Sequence, residues 1–413
     1  MAMKATTMRA TSMALGVVLA VACSSSGGDT GGTGPVPSPS PTGTQPGPAP
    51  TSTGTGTPPP PDPGPPAIQF IGRFDTRDAT GPVAGWPGAR IIANFEGTAV
   101  TARLKEDQMP DGPSEWDVAI DGQWQPRMTL QVGDHTYDLA KDLTPGKHTV
   151  ELFKNTESQT GVTQFLGYDF HGGTLLPPPL RASRHLEVVG DSDVAGYGYE
   201  GAGQPGNCGG EAWLAKYQNF RAAWGQRLTD RLNADLEGVV FSGKGFYYNA
   251  WRPDTETIDV LYPRSNPEDV SSAFDLKKEA PDVIVIAIGG NDYNLGEPSD
   301  TGPAPLDGFT DKARTFTAML RSNYPQAHIF LMAYAVLTDD DPPGRLKRTS
   351  VVTAYNTVVN ERNAAGDSRV YFVAPQAADY TELTACDGHG GPEYHERIAT
   401  FLEGEIREKT GWK

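Results

Sequence analysis

The sequence predicts two folded domains in series, a β-sandwich followed by a doubly wound α/β domain with a five-stranded parallel sheet. Three observations predict it. From Ile68 to about Phe170, apolar residues recur with period two and no convincing helical repeat interrupts them. The Pro-rich crossing GGTLLPPPL (172–180) ends that pattern. After it, five apolar segments of strand length alternate with amphipathic ones, the order expected of a parallel sheet whose crossovers are helices.

The chain divides into 1–22, 23–66, 67–178 and 183–413. Residues 1–22 carry Lys4 and Arg9 and then the apolar run MALGVVLAVA, which is too short to span a bilayer and reads as a signal peptide. The run ends at Cys23 in a sequence similar to a bacterial lipobox, with Ala20 where Leu is usual. A lipidated Cys23 is therefore expected, beside the alternative of an ordinary signal peptide with a nearby cut. Residues 23–66 are rich in Gly, Ser, Thr and Pro, lack aromatic residues, and cannot bury enough apolar surface to order themselves; a disordered stalk is expected. The location that follows is the outer cell surface, the periplasm as a lipoprotein, or the medium, with a membrane reached only through the lipid. The formal charge of −17 argues against a nucleic-acid partner, because phosphate binding needs clustered Lys and Arg, and it favours neutral substrates over polyanionic ones. A monomer is expected.

Within 67–178, IQFIGRF opens the strands. In AVTARLK, Val100, Ala102 and Leu104 lie on one side and Thr101, Arg103 and Lys105 on the other, as a half-buried strand requires. EWDVAI runs into Asp121-Gly122, a strong hairpin turn. RMTLQV, HTVELFK and TQFLGYDF complete the set. Such a domain either binds sugar or braces its neighbour.

Within 183–413, HLEVVG (185–190), LEGVVFS (236–242), PDVIVIAIGG (281–290), AHIFLMA (327–333) and RVYFVA (369–374) read as strands. The segment 211–235 places Trp213, Tyr217, Phe220, Trp224, Leu228 and Leu232 at spacings of three and four, predicting an amphipathic helix with these aromatics in the core. Segments 308–323, 343–365 and the closing stretch from Pro392 also read as helices. In a sheet of this kind the site lies off the carboxyl ends of the strands.

Those ends carry the chemistry. Gly190-Asp191-Ser192 follows the first strand, Ser242-Gly243-Lys244-Gly245 the second, Gly289-Gly290-Asn291-Asp292 the third, and Cys386-Asp387-Gly388-His389 precedes the last helix. Each alone is an ordinary turn. Together, in this order, they resemble the SGNH or GDSL hydrolases. The G-x-S-x-G elbow of α/β-hydrolases is absent from this region. IGRFD (71–75), WPGARIIANFEGTAV (86–100), Gly196-Tyr197-Gly198 and CDGH narrow the resemblance to family two of the carbohydrate esterases. These pair a jelly-roll domain with an SGNH domain and remove O-acetyl groups from plant polysaccharides and sugars. Members usually show Cys-Asp-Trp-His-Pro near the end; here Gly388 and Gly390 replace the Trp and Pro.

The resemblance implies Ser192 as nucleophile and His389 as its base. It implies an oxyanion hole from the N–H of Ser192, the N–H of Gly245 and the amide of Asn291, with Gly243 competing for the second place. Asp387 is the candidate acid orienting the histidine, although it lies two residues before His389 rather than the usual three; a main-chain carbonyl holding the ring is the alternative. Tyr197 and Trp251 are candidates for stacking on a sugar ring. Cys208 and Cys386 fall near the same site and either pair, bracing the serine loop against the histidine loop, or remain buried thiols. Cys386, Asp387, His389, Glu393 and His395 match no standard zinc spacing, so neither metal nor cofactor is expected. The expected function is an acetylxylan-esterase-like carbohydrate O-acetyl esterase acting on acetylated polysaccharide through an acetyl-serine. A lipase or peptidoglycan O-acetyl esterase of the same fold, and a non-catalytic carbohydrate-binding surface protein, are the alternatives.

Overall fold

Two antiparallel sheets face each other in the first domain. The computed structural model describes residues 64–204 and 207–413; the leader, Cys23 and all but the end of the linker lie outside the described residues. One sheet runs, in spatial order, Gln69–Ile71, Arg90–Gly97, Gly146–Lys154, Glu115–Ile120, Gln123–Trp124, with Thr174–Leu175 and Met128–Thr129 alongside. The other runs Val83–Ala84, Thr163–Asp169, Val100–Glu106, Gly133–Ala140. Ile91, Ala93 and Phe95 of the first sheet and Ala102, Leu104 and Phe165 of the second share one buried cluster. Asp121 and Gly122 both take left-handed φ, as the tight hairpin demands.

Two strands escape the apolar alternation. Arg90–Gly97 buries Ile91, Ile92 and Ala93 in succession, so both faces are covered there, and Arg90 at its start reaches Asp235 of the second domain at 3.7 Å. Gly133–Ala140 is an edge strand whose residues alternate exposed with half-buried until Leu139, so Asp134, His135 and Asp138 mask its period. RMTLQV contributes only Met128–Thr129 to a sheet.

The second domain has five parallel strands in the order Asp235–Val240, His185–Gly190, Val283–Ala287, His328–Met332, Val370–Val373. Crossing helices include Trp224–Leu232, Leu306–Asn323, Lys347–Ala364 and Pro392–Thr410. Among the described residues no helix is long and apolar enough to cross a membrane. The helix expected over 211–235 starts only at Trp224. Phe220, Trp224, Leu228 and Leu232 are buried as expected, whereas Trp213 is exposed and Tyr217 lies in an isolated helical turn. The reason is that main-chain groups before Trp224 bond outward. Ala215 N–H donates to Asp111, Phe220 N–H to Asn155, and Asn219 N–H to Gly196.

The domains meet through residues of the two motifs near the start of the sandwich. Trp86 joins the α/β core and its indole donates to the Arg264 carbonyl at 3.1 Å. Arg73 has no exposed side-chain surface; its guanidinium bonds Glu187 at 3.0 Å, Glu237 at 2.6 Å and the Tyr262 carbonyl. Glu187 and Glu237 stand opposite each other on neighbouring parallel strands. The rings of Tyr262 and Phe274 cover the cation at 4.5 and 4.3 Å. Burial, reinforced by Glu237, pushes the Glu187 carboxyl well above the usual range despite Arg73. Burial also opposes ionisation of Glu237, but Arg73 and His185 outweigh it and hold that carboxyl low.

Removing one member of such a buried ionic group leaves uncompensated charge. Arg73→Met is expected to destabilise the protein by about 3–5 kcal/mol, read as a lower urea midpoint; an unchanged midpoint would contradict the assigned role of this cluster.

Candidate active site

The first parallel strand stops at Gly190, whose missing side chain leaves room for Val194 to fold back over it. The chain then makes the short helix Ser192–Ala195, capped by the Asp191 carboxylate accepting from Asp193 N–H at 3.1 Å. Ser192 is thereby presented at the carboxyl edge of the sheet. Its hydroxyl lies 2.8 Å from Nε2 of His389. The other ring nitrogen, Nδ1, lies 3.0 Å from the Cys386 carbonyl. That pairing assigns the proton to Nδ1 and leaves Nε2 free to accept from the serine.

Asp387 does not take the place expected for an orienting acid. It sits at φ 54 within the turn Cys386–Gly388, and its carboxylate accepts the Tyr197 hydroxyl at 3.1 Å. The backbone of this turn, rather than the side chain, faces the ring. Tyr197 correspondingly packs behind the histidine, with ring centroids 4.8 Å apart, and is a brace rather than a wall of the site cavity. Cys208 and Cys386 form a disulfide across 178 residues of sequence, joining the loop after the serine to the histidine turn. Gly198 is required at this junction, because a Cβ there would lie 2.6 Å from that of Cys386.

Of the two turn glycines, Gly245 is committed elsewhere: its N–H donates to Asn249 at 3.1 Å. A side chain there would strike the Tyr248 carbonyl and Asp292. Gly243 is half-buried with φ +81. Among the described residues the N–H groups of Gly243 and Ser192 donate to no protein acceptor. Asn291 opens from the short helix Gly290–Tyr293; its amide donates to the Lys244 carbonyl at 2.9 Å and, more loosely, to Asp191 at 3.3 Å. This amide therefore ties the Gly243 turn to the serine loop.

A cavity of about 530 Å³ opens beside Ser192, Asn291 and His389, which line it. Its walls include Tyr334, Val336, Leu337, Ala378 and Leu383, with Tyr380 and Lys347. Trp251 is 52% exposed and lies outside this lining. Tyr380, 90% exposed, is the exposed aromatic at the cavity, beside the buried Tyr334. The sequence offers a signal for it, since Tyr380 follows the fifth strand at the same sheet edge. Lys347, nearly buried at the start of a helix, offers none. Gly388 lines the cavity with open space where a side chain would be, so the wall supplied by Trp in the familiar pattern is missing. Gly390 has the opposite cause: a Cβ there would lie 2.1 Å from the Tyr394 ring.

The local electrostatics are set by burial. Burial lowers the His389 pKa below the ordinary 6.5, with Lys347 adding to the effect against the Cys386 carbonyl and Asp387. Asp191 is pushed up to about 8 by burial and then by Asp193, so it is largely neutral at pH 7. Burial raises Asp292 to about 6, while it holds the loop after the second strand through the N–H groups of Phe246, Tyr247 and Tyr248. His395 does not reach the site; it accepts Trp224 N–H at 3.2 Å in the core.

Residues 70–179 match the model of the carbohydrate esterase 2 N-terminal domain, and residues 188–397 that of the GDSL-like lipase/acylhydrolase family. A solved family two carbohydrate esterase from Clostridium thermocellum, in complex with cellohexaose, superposes with a TM-score of 0.75 at 30% identity, over 84% of this chain and 100% of that one. The chain belongs to carbohydrate esterase family two. Among curated relatives of this esterase, the cellulase/esterase CelE of Acetivibrio thermocellus is 32% identical over 84% of the chain, which spans 40% of that relative's length. An acetylxylan esterase/glucomannan deacetylase of Cellvibrio japonicus is 25% identical over 84% of the chain and 90% of the relative.

Two outcomes follow for the esterase. A general base must be neutral, and a lowered histidine pKa keeps it neutral further into acid. The acid limb of kcat/KM against pH should therefore have its midpoint below 6.5; a midpoint above it would contradict the burial of His389. Replacing Cys208 and Cys386 together by Ser should cost about 2–4 kcal/mol of stability and lower kcat, because the Cys386 carbonyl holds the imidazole. Thermal melts and steady-state rates read the two effects.

Proposed function

We propose that the chain is a carbohydrate O-acetyl esterase that works through an acetyl-serine with a Ser192–His389 dyad. The observation that carries the reading is the imidazole poised between the serine hydroxyl and a main-chain carbonyl. His389 Nε2 takes the Ser192 proton as Oγ attacks the ester carbonyl. The carbonyl oxygen, now negative, is met by the N–H of Ser192, the N–H of Gly243 and the Asn291 amide, whose looser contact to Asp191 gives way to it. The imidazolium, its ring held by the Cys386 carbonyl, gives the proton to the sugar oxygen as its bond to the acyl carbon breaks, releasing the sugar hydroxyl and leaving acetyl-Ser192. Water repeats the sequence on the acyl-serine and releases acetate.

The matched family and the curated relatives named for acetylxylan and glucomannan support an acetylated plant polysaccharide as substrate. Tyr380 at the cavity supplies a face for a pyranose ring. The leader ending in Cys23 supports export with a lipid tether, and the sandwich is a monomer's own brace rather than an oligomer interface.

Ser192→Ala should lower acetate release from acetylated xylan, glucomannan and 4-nitrophenyl acetate by about 10⁴-fold or more, with the melting temperature kept. Wild-type activity in that variant overturns the assignment, and preference for long acyl esters over acetate redirects it to a lipase.

A further inference from the structure

One loop of the sandwich, residues 155–161, packs against the catalytic domain. Glu157 is 1% exposed, and both of its carboxylate oxygens accept from Ser242: one from the main-chain N–H, the other from the hydroxyl at 2.7 Å. Gln159, two residues on, donates its side-chain amide to the Ser242 carbonyl at 3.0 Å. Glu157 is itself held, since its N–H donates to the Gln218 side chain at 3.0 Å. Behind it, the buried Lys154 ammonium bonds the carbonyl of Thr156 at 2.8 Å. The N–H, O–H and C=O of Ser242 are thus all bonded by the other domain.

Ser242 precedes Gly243, the residue whose N–H is the proposed oxyanion donor. The Ser242 carbonyl and the Gly243 N–H belong to one peptide group, which is planar and trans. Fixing the carbonyl therefore fixes the direction of the N–H, and fixing the Ser242 N–H and hydroxyl removes the rotation that remains on its other side. A glycine at φ +81 has little local preference of its own, because it populates positive and negative φ about equally. Its orientation must come from neighbours. On the catalytic-domain side the Lys244 carbonyl is bonded by Asn291, and the Gly243 carbonyl by Ala250 N–H at 2.8 Å. Glu157 and Gln159 supply the constraint from the sandwich side.

We propose that Glu157 and Gln159 are positioning residues of the esterase site, so that the sandwich domain completes the oxyanion hole by aiming Gly243 N–H; the inference rests on the Ser192–His389 reading. A neutral amide at 157 preserves both bonds, its oxygen accepting Ser242 N–H and its nitrogen donating to the hydroxyl. Full removal of an oxyanion donor costs about 10²–10³ in kcat, and a misaimed donor costs less.

The test uses the full chain and 4-nitrophenyl acetate, with Ser192→Ala as reference. Gln159→Ala and Glu157→Ala should each lower kcat by about ten- to a hundred-fold with KM nearly unchanged, and Glu157→Gln should retain most of the wild-type kcat. A boronic acid that forms a tetrahedral adduct on Ser192 should lose affinity in parallel with kcat, whereas a purely structural role would move the melting temperature and leave both unchanged. Gln159 is half-buried, so Gln159→Ala keeps the test open where Glu157→Ala does not fold. Wild-type kcat and boronate affinity in a folded Gln159→Ala overturn the proposal for Gln159, and the same result in a folded Glu157→Ala overturns it for Glu157. Full activity in Ser192→Ala instead removes the reading beneath it.

Discussion

Arg73 crosses from the sandwich into the space between Glu187 and Glu237, two carboxylates in register on neighbouring parallel strands and shielded from water. Burial and the neighbouring carboxyl push Glu187 up even with the cation in place, and without it Glu237 would lose the charge that holds its carboxyl low. Two carboxylates, a carbonyl and two ring faces define one position for the guanidinium, and with it one seat for the sandwich. Trp86 enters the α/β core beside it, and Gly88 allows the Phe220 ring to approach where a side chain would collide. Because the seat is set deep in the interface, the loops nearer the catalytic edge arrive in register with Ser242 and Ala215.

The catalytic pair depends on a second device, local to the sheet edge. A carboxylate beside the histidine would stabilise the imidazolium by full charge; the Cys386 carbonyl offers a dipole instead. Burial already disfavours the charged ring, so the arrangement favours orientation over basicity. The carbonyl can serve only if its own position is secure, and the disulfide to Cys208, with Cys386 N–H donating to the Gly198 carbonyl at 3.2 Å, makes it so. Asp387 then contributes indirectly, through Tyr197 packed on the ring.

Much of this was legible because apolar periodicity survives wherever a strand is buried. All five parallel strands lie within three residues of the predicted segments, and Ser192, Asn291 and His389 converge as their placement at strand ends implies. The edge strand Gly133–Ala140 was not legible, since solvent on one side erased its apolar pattern. Residues 211–223 were read as helix because Tyr217, Phe220 and Trp224 keep a helical spacing, yet tertiary bonds claim the backbone that a helix would need. Gly245 and Gly243 are equivalent in sequence; only the neighbouring Asn249 separates them, by occupying the N–H of Gly245. Trp251 and Tyr380 are both loop aromatics at one sheet edge, and which of them borders the cavity is a matter of loop path.

The residues of IGRFD and WPGAR identified the family without revealing their purpose, and the structure assigns Arg73, Trp86 and Gly88 to the contact between domains. By itself the sequence determined the two folds and the succession of strands along the chain, because these follow from hydrophobic period, whereas nucleophile and base roles for Ser192 and His389 come from the family resemblance. The tertiary structure decided what holds the His389 ring, which of the two glycines has its N–H bonded elsewhere, and which sandwich residues bond Ser242. Those depend on hydrogen-bond directions between segments far apart in the chain, and direction is not encoded in spacing. Ser192 and His389 are 2.8 Å apart across 197 residues, a contact that only the folded chain creates.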